Sequence, residues 1–248
     1  MKISIKSQEA IDAMRQAGSI LAATRNLLIQ NLTVGETSSH LDQLVENYIC
    51  TQGAEPAFKG YKNFPASICF SVNDGLVHGL PNTTPIQAGD VIKLDFGIRY
   101  QGWNVDAATT VGLAPVSAEN KRLIDTTKKA LWAGIKKVQA GIHLGDVQAA
   151  IQEVIENANL GLVHSLTGHG IGRELHEPPS IPNHGERGTG PVLQAGMTIC
   201  LEPMVTTGSS DVQVARDGWT YITSDGSYSA HEEHTILVTH SGFEILTL

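Results

Sequence analysis

The sequence predicts a mixed α+β chain made of two related halves, each running helix, helix, strand, strand. Two internal matches and the patterns around them carry this reading. Ala88-Gly-Asp-Val-Ile-Lys-Leu-Asp95 is echoed by Ala195-Gly-Met-Thr-Ile-Cys-Leu-Glu202, offset by 107, with four identical positions and a carboxylate closing both. Upstream, residues 35–49 align with 141–155 at an offset of 106, so that Leu41, Val45 and Ile49 meet Val147, Ile151 and Ile155. Two copies at so long a period point to a pseudo-twofold core and not to a solenoid. The expectation is a single domain over residues 1–248, with halves of roughly 7–115 and 116–248.

The elements follow in order. Residues 8–31 carry Ile11, Met14, Ile20, Leu21, Leu27 and Leu28 on one apolar face, behind Ser7 as N-cap. A turn at Val34-Gly35 leads to a second helix near 38–53. Residues 66–81 read as strand, turn at 73–75, then a short apolar run, and 91–111 read as a hairpin. The second half begins with a helix over 118–139 capped by Ser117, followed by a helix near 144–158. Residues 177–193, rich in Pro and Gly, read as a loop, and 206–218 as irregular around a strand-like 219–223. The tail, 235–239 and 243–248, reads as two strands joined at Ser241-Gly242.

Composition narrows the class. Apolar content of 41% and charged content of 17% are those of an ordinary globular chain. A net charge of −8 argues against nucleic acid as the main partner. Lys128, Lys129, Lys136 and Lys137 cluster on one predicted helix and read as a solvated face. The three cysteines have no C-x-x-C spacing, which fits neither a disulfide framework nor a zinc finger and agrees with a reducing cytosol. The N-terminal segment lacks the apolar run of a signal peptide, and no stretch is apolar for the ~18 residues of a membrane span.

The chemistry centres on Leu166-Thr-Gly-His-Gly-Ile-Gly-Arg-Glu-Leu-His-Glu-Pro-Pro179, with His169 and His176 among Gly168, Gly170 and Gly172. Each Gly costs a helix interior roughly 1 kcal/mol against Ala, so this is a strand or loop held open for close approach. Carboxylates converge on it. If the hairpin turns at Gln101-Gly102, Asp95 faces Ala108 and shares a face with Asp106 two residues along, whereas an odd register puts the two acids on opposite faces. Glu202 stands where the repeat places Asp95. Glu233, in His231-Glu-Glu-His234, stands by symmetry in the role of Asp106 and shares a face with Thr235 and Leu237, with Glu232 pointing away. Four acids crowded in apolar sequence stay ionised only if cations neutralise them, and two divalent ions balance four charges. That is the charge balance of a two-metal hydrolase with a bridging hydroxide as nucleophile. Oxygen ligands with one imidazole suit manganese, iron(II), cobalt or zinc.

Taken together, Ser71-Val-Asn-Asp-Gly-Leu-Val-His78-Gly, Asp90-Val-Ile-Lys-Leu-Asp95 with Asp106, Gly168-His169-Gly-Ile-Gly with His176, Glu202-Pro-Met and Glu233-His-Thr-Ile resemble the type I methionine aminopeptidases over essentially the whole chain. The resemblance implies the pita-bread fold, in which two pseudo-twofold-related α-α-β-β halves surround a central curved antiparallel sheet. It implies that Asp95, Asp106, His169, Glu202 and Glu233 hold two divalent ions, with Asp106 and Glu233 bridging. It implies that His176 binds the scissile carbonyl, that His78 meets the scissile nitrogen and that Glu202 accepts the proton of the attacking water. By position, Tyr61, Phe64, Cys69 and Trp219 would line a pocket for the methionine side chain, with Cys69 as a wall thiol and not a nucleophile. The implied substrates are N-terminal methionyl peptides and nascent chains with a small second residue, met in the cytoplasm by a monomer with possible transient ribosome contact.

Four positions depart from the family pattern: Leu166 where an aromatic residue is common, Gly97 in place of a frequent Thr, and Ala107-Ala108 where a polar pair is usual. They put turnover and metal preference in question. Two rivals remain open. An Xaa-Pro-type pita-bread aminopeptidase would share the five ligands but is expected to need an extra N-terminal domain. A non-catalytic peptide-binding member would be expected to lack some of those ligands.

Overall fold

A computed structural model describes residues 3–248; Met1 and Lys2, part of the segment read above for a leader, lie outside the described residues. Helix α1 (Gln8–Asn31) starts where expected, with the Ser7 hydroxyl accepting from the Ala10 N–H, and buries Met14, Ala17, Leu21 and Leu28. Helix α2 (Ser38–Thr51) is capped in the same way by Thr37 and buries Leu41, Val45 and Ile49. Strands β1 (Glu55–Pro56), β2 (Cys69–Val72) and β3 (Gly75–Val77) precede the hairpin of β4 (Val91–Tyr100) and β5 (Trp103–Gly112). Gln101 and Gly102 both adopt positive φ, 50° and 76°, the turn geometry that matches strand twist. The register is the even one: Asp95 pairs with Ala108 and Gly97 with Asp106.

The second half repeats the plan. Helix α3 (Ala118–Ile135) is capped by Ser117 and packs on α4 (Leu144–Asn157). It stops short of residue 139 because Lys137 and Val138 switch to the carbonyls three residues back, which turns Val138 into the core. The strands that follow are β6 (Gly161–Leu162), β7 (Thr167–Gly170), β8 (Glu177–Pro182), β9 (Thr198–Leu201), β10 (Met204–Thr206), β11 (Val212–Val214), β12 (Tyr221–Thr223), β13 (Ser229–His231), β14 (His234–Thr239) and β15 (Gly242–Ile245). Two expected irregular stretches therefore hold strands: β8 within 177–193 and β11 within 206–218. Conversely, the segment 66–68 and the run after Val77 lie outside any strand, and the last strand ends at Ile245.

Two antiparallel sheets form the centre, one of β4 flanked by β1, β2 and β5, the other ordered β15-β14-β9-β7-β8. They join where β5 meets the start of β14: the Ala108 N–H donates to the Glu233 carbonyl at 3.3 Å, and the Glu233 N–H to the Ala108 carbonyl at 2.9 Å. One apolar core lies between α1, α2 and the first sheet, and another between α3, α4 and the second. The sequence repeat is a backbone repeat as well. Gly35 and Gly141 have φ of 90° and 91°, and Gly89 and Gly196 have 90° and 89°. The symmetry is inexact at the second hairpin. Leu201 pairs with His234, so continuing that register sets Glu202 directly opposite Glu233, whereas Asp95 and Asp106 are diagonal. Between those two glutamates the chain makes the excursion of β10 to β13.

Candidate metal centre

The join between the sheets brings four carboxylates together from separate strands. Asp95 comes from β4, Asp106 from β5, Glu202 follows β9 and Glu233 precedes β14. All four are buried. Ligand atoms of Asp95, Asp106 and Glu233 lie within 4.8 Å of one another. His169 enters from β7, where its neighbours Gly168 and Gly170 let the strand press against its partners: a Cβ on the first would strike the Cys200 carbonyl, and on the second the Pro178 carbonyl. Its Nδ1 lies 2.9 Å from the Gly170 carbonyl, and its Nε2 lies 3.6 Å from Glu202 Oε1 and 3.9 Å from Glu233 Oε1.

Electrostatics mark the cluster as incomplete without positive charge. Burial pushes Asp95, Glu202 and Glu233 well above the usual carboxylate range, and the neighbouring acids push them further. Burial raises Asp106 to about 7 and lowers His169 to about 4. Asp95 Oδ1, Asp106 Oδ1 and Glu233 Oε1 are buried without a hydrogen-bond partner among the described residues. Buried, unpartnered carboxylate oxygens beside a neutral imidazole form a donor set that fits divalent cations.

All the pocket and catalytic candidates line this same cavity of about 290 Å³: Tyr61, Phe64, Cys69, His78, His176 and Trp219, together with the five acidic and imidazole candidates. His176 stays open to solvent on one side, stacks on Tyr61 with ring centres 5.2 Å apart, and has Nδ1 2.9 Å from the Tyr61 hydroxyl. Desolvation lowers its pKa, and the nearby His169 adds to this. His78 follows β3 with φ of 58°, an uncommon value for a residue with a side chain, and sits edge-on to Tyr221. Phe64 meets Trp219 edge to face at 5.3 Å, and Cys69, buried, lines the same cavity with its thiol pKa raised by burial. Glu232 turns the other way, accepting from the Thr110 N–H at 3.0 Å with the Lys128 ammonium 3.7 Å off.

Three groups at the cluster escaped the sequence reading. Cys200 and His231 each form a further close group with Glu233, the first with His169 and the second with Glu202. The Thr235 hydroxyl accepts from the Asp106 N–H and donates to the Asp106 carbonyl, both at 2.8 Å, fixing the backbone of that acid. One of the departures, Gly97, has a local cause. A Cβ at Gly97 would come within 2.9 Å of Phe58 and 3.0 Å of Ala57, so the strand is crowded there, and Leu166 lines the cavity beside Met204.

Helices layered outside two joined antiparallel sheets, with acids and an imidazole gathered at the join, define a pita-bread metallopeptidase. The family model for metallopeptidase family M24 matches residues 12–240, and the chain belongs to that family. A curated methionine aminopeptidase from Clostridium perfringens is 43% identical over 246 residues, 99% of each chain. The solved structure of a methionine aminopeptidase from Thermotoga maritima matches with a TM-score of 0.97 at 42% identity, again over 99% of both chains. A prolidase from Pyrococcus furiosus shares the fold at a TM-score of 0.81 and 23% identity, with 65% of its chain covered. No helix among the described residues is long and apolar enough to cross a membrane.

Proposed function

We propose that this chain is a methionyl aminopeptidase, removing the initiator methionine from peptides and nascent chains whose second residue is small. The observation that carries this is the placement of four buried, mutually repelling carboxylates and a neutral imidazole against a pocket walled by Phe64, Trp219 and Cys69. A soft wall of aromatic edges and a thiol suits a thioether side chain. A cavity of about 290 Å³ sits at the bottom of the usual range for small-molecule sites, ~300–1,000 Å³, and suits one side chain and a short length of backbone. That is the physical argument for a small second residue.

In this reading Asp95, Asp106, His169, Glu202 and Glu233 would hold the cations, Asp95 contributing to one site, His169 and Glu202 to the other, and Asp106 and Glu233 to both. Two divalent cations, whether manganese, iron(II), cobalt or zinc, would balance the four acids and supply Lewis acidity and an activated hydroxide. Glu202 accepts the proton of the attacking water. His176 is neutral; with the Tyr61 hydroxyl donating to its Nδ1, the ring proton lies on Nε2 and is available to the scissile carbonyl oxygen. His78, also neutral, meets the scissile nitrogen and assists departure of the amine. The whole chain acts as one catalytic domain, a monomer working in the cytoplasm, with any ribosome contact transient.

The test is release of the free N-terminal residue from Met-Ala-Ser, Met-Lys-Ser and an Xaa-Pro-Xaa peptide whose first residue is not methionine, by metal-free protein reloaded separately with manganese, iron(II), cobalt and zinc. The expected result is cleavage of the Met-Ala peptide alone, abolished by Asp106→Asn. Cleavage of the Xaa-Pro peptide instead, or no cleavage with any metal by folded protein, would overturn the reading.

A further inference from the structure

His231 is a member of the cluster with no role so far. Its side chain is 1% exposed, and neither ring nitrogen has a hydrogen-bond partner among the described residues. Its position is fixed by the backbone: the His231 N–H donates to Thr110 Oγ1 at 2.9 Å, and that hydroxyl donates to the His231 carbonyl at 2.7 Å. The ring is thereby aimed into the cluster, with Nε2 3.4 Å from Glu202 Oε2 and 4.0 Å from Glu233 Oε2. On the other side His169 faces Oε1 of the same two glutamates. Glu202 therefore lies between two imidazoles, one for each carboxylate oxygen.

The two rings differ in their second nitrogen. His169 Nδ1 has the Gly170 carbonyl as acceptor, which places the proton there and leaves Nε2 a free lone pair, the state of a metal ligand. His231 Nδ1 has no acceptor, so a proton on it would be stranded in the core. Its proton belongs on Nε2, facing Glu202, and a protonated nitrogen has no lone pair for a cation. At 3.4 Å the pair is not yet hydrogen-bonded; a few tenths of an ångström of approach and a small turn of the ring or carboxylate would make the bond.

We propose that His231 is a positioning residue that donates its Nε2–H to Glu202 Oε2 and so holds Oε1 toward the cation site shared with His169. The inference rests on the reading of Glu202 as ligand and proton acceptor. A carboxylate asked to do both must keep one orientation, and the hydrogen bond that Glu202 accepts from Asn183 goes to its backbone carbonyl, which does not fix the carboxylate plane.

The test compares wild type, His231→Ala and His231→Gln, because a glutamine amide offers an N–H of similar reach but is a poor metal ligand. Three quantities are read: cobalt(II) affinity by calorimetry, the visible spectrum of the cobalt(II) protein, and kcat and KM for Met-Ala-Ser. His231→Ala is expected to weaken cobalt binding and kcat by about 10–100-fold with little change in KM, the usual range for losing a group that orients a ligand. His231→Gln is expected to restore both and to keep the wild-type spectrum. A glutamine variant as impaired as the alanine variant, with the spectrum altered in both, would make His231 a ligand and overturn the proposal. An alanine variant that binds and cleaves like wild type would overturn it too. Circular dichroism and urea unfolding of the metal-free variants separate misfolding from loss of metal. If wild type fails to cleave but the alanine variant still loses cobalt and the glutamine variant regains it, the positioning role stands and the peptidase reading falls.

Discussion

At the scale of single residues, Thr235 and Tyr61 make separate predictions. The Thr235 hydroxyl serves the N–H and the carbonyl of Asp106 at once, in a buried site. Thr235→Val keeps the shape and removes both bonds, so it leaves two buried backbone groups unpaired. The expected cost is about 1–3 kcal/mol of stability, read as a lower urea midpoint of the metal-free protein at unchanged slope. Tyr61→Phe removes the partner of His176 Nδ1 and frees the ring to place its proton on either nitrogen. A net hydrogen bond of about 0.5–1.5 kcal/mol translates into a kcat lowered roughly two- to tenfold, with KM for Met-Ala-Ser little changed. The acids were legible in the sequence because a carboxylate set among Ile, Leu and Val is expensive without a partner, and Asp95, Asp106, Glu202 and Glu233 do meet. His231 and Thr235 were not legible as supports. Their significance lies in contacts with Glu202 and Asp106 that come from strands far away in the chain.

At the scale of elements, the repeat and the helices were readable because each rests on local physics: caps at Ser7 and Ser117 and a regular apolar period. Strand β8 was hidden by its own composition. Glu177–Pro182 contains three prolines, which normally mark a loop, yet β8 is the outermost strand of its sheet, where a missing N–H is tolerated. Strands β10 to β13 are three residues long each, too short for an alternating pattern to show. The hairpin of β4 and β5 makes the element-scale prediction. At Gly97 the strand has no room for a side chain, because Phe58 and Ala57 lie against it. Gly97→Thr, the residue frequent in the type I pattern, is expected to overpack this site by about 1–3 kcal/mol, seen as a lower urea midpoint. Pairing it with Phe58→Leu should recover part of that loss, and additive losses would show that the crowding is not the cause.

At the scale of the whole molecule, the centre lies where the two halves meet, and the first core also takes in Ile171, Leu175, Cys200, Leu237 and Leu246 of the second half. Asp95 and Asp106 come from the first half, and His169, Glu202 and Glu233 from the second, so charge repulsion among the acids acts across the join. In metal-free protein burial raises Asp106 from 3.8 to about 7, and burial and the neighbouring acids raise Asp95, Glu202 and Glu233 well above their ordinary values, so the folded chain holds protons that the unfolded chain has released. Such groups stabilise the fold below their unfolded values, and that stability is lost as pH rises through the folded values. The buried imidazoles act in the opposite sense. His169, at about 4, and His231, at about 3, are neutral when folded, so their contribution is present above the ordinary 6.5 and lost as pH falls. Between pH 4 and 6.5 the two sets offset each other. Above pH 6.5 the raised acids, joined by Glu232 at about 7, titrate against one buried base, Lys93, which burial lowers to about 7 and whose contribution grows as pH rises. The acids outnumber it, so metal-free protein should lose stability from pH 7 to pH 9. Bound cations hold the same carboxylates ionised and remove that loss, and at a hundred times the dissociation constant they add about 2.7 kcal/mol. Thermal unfolding at pH 7 and pH 9, with and without chelator, reads both effects. A chelated protein whose melting temperature is unchanged or rises at pH 9 would mean that the acids are already ionised when folded, and the balance of charge that points to cations at this join would be lost.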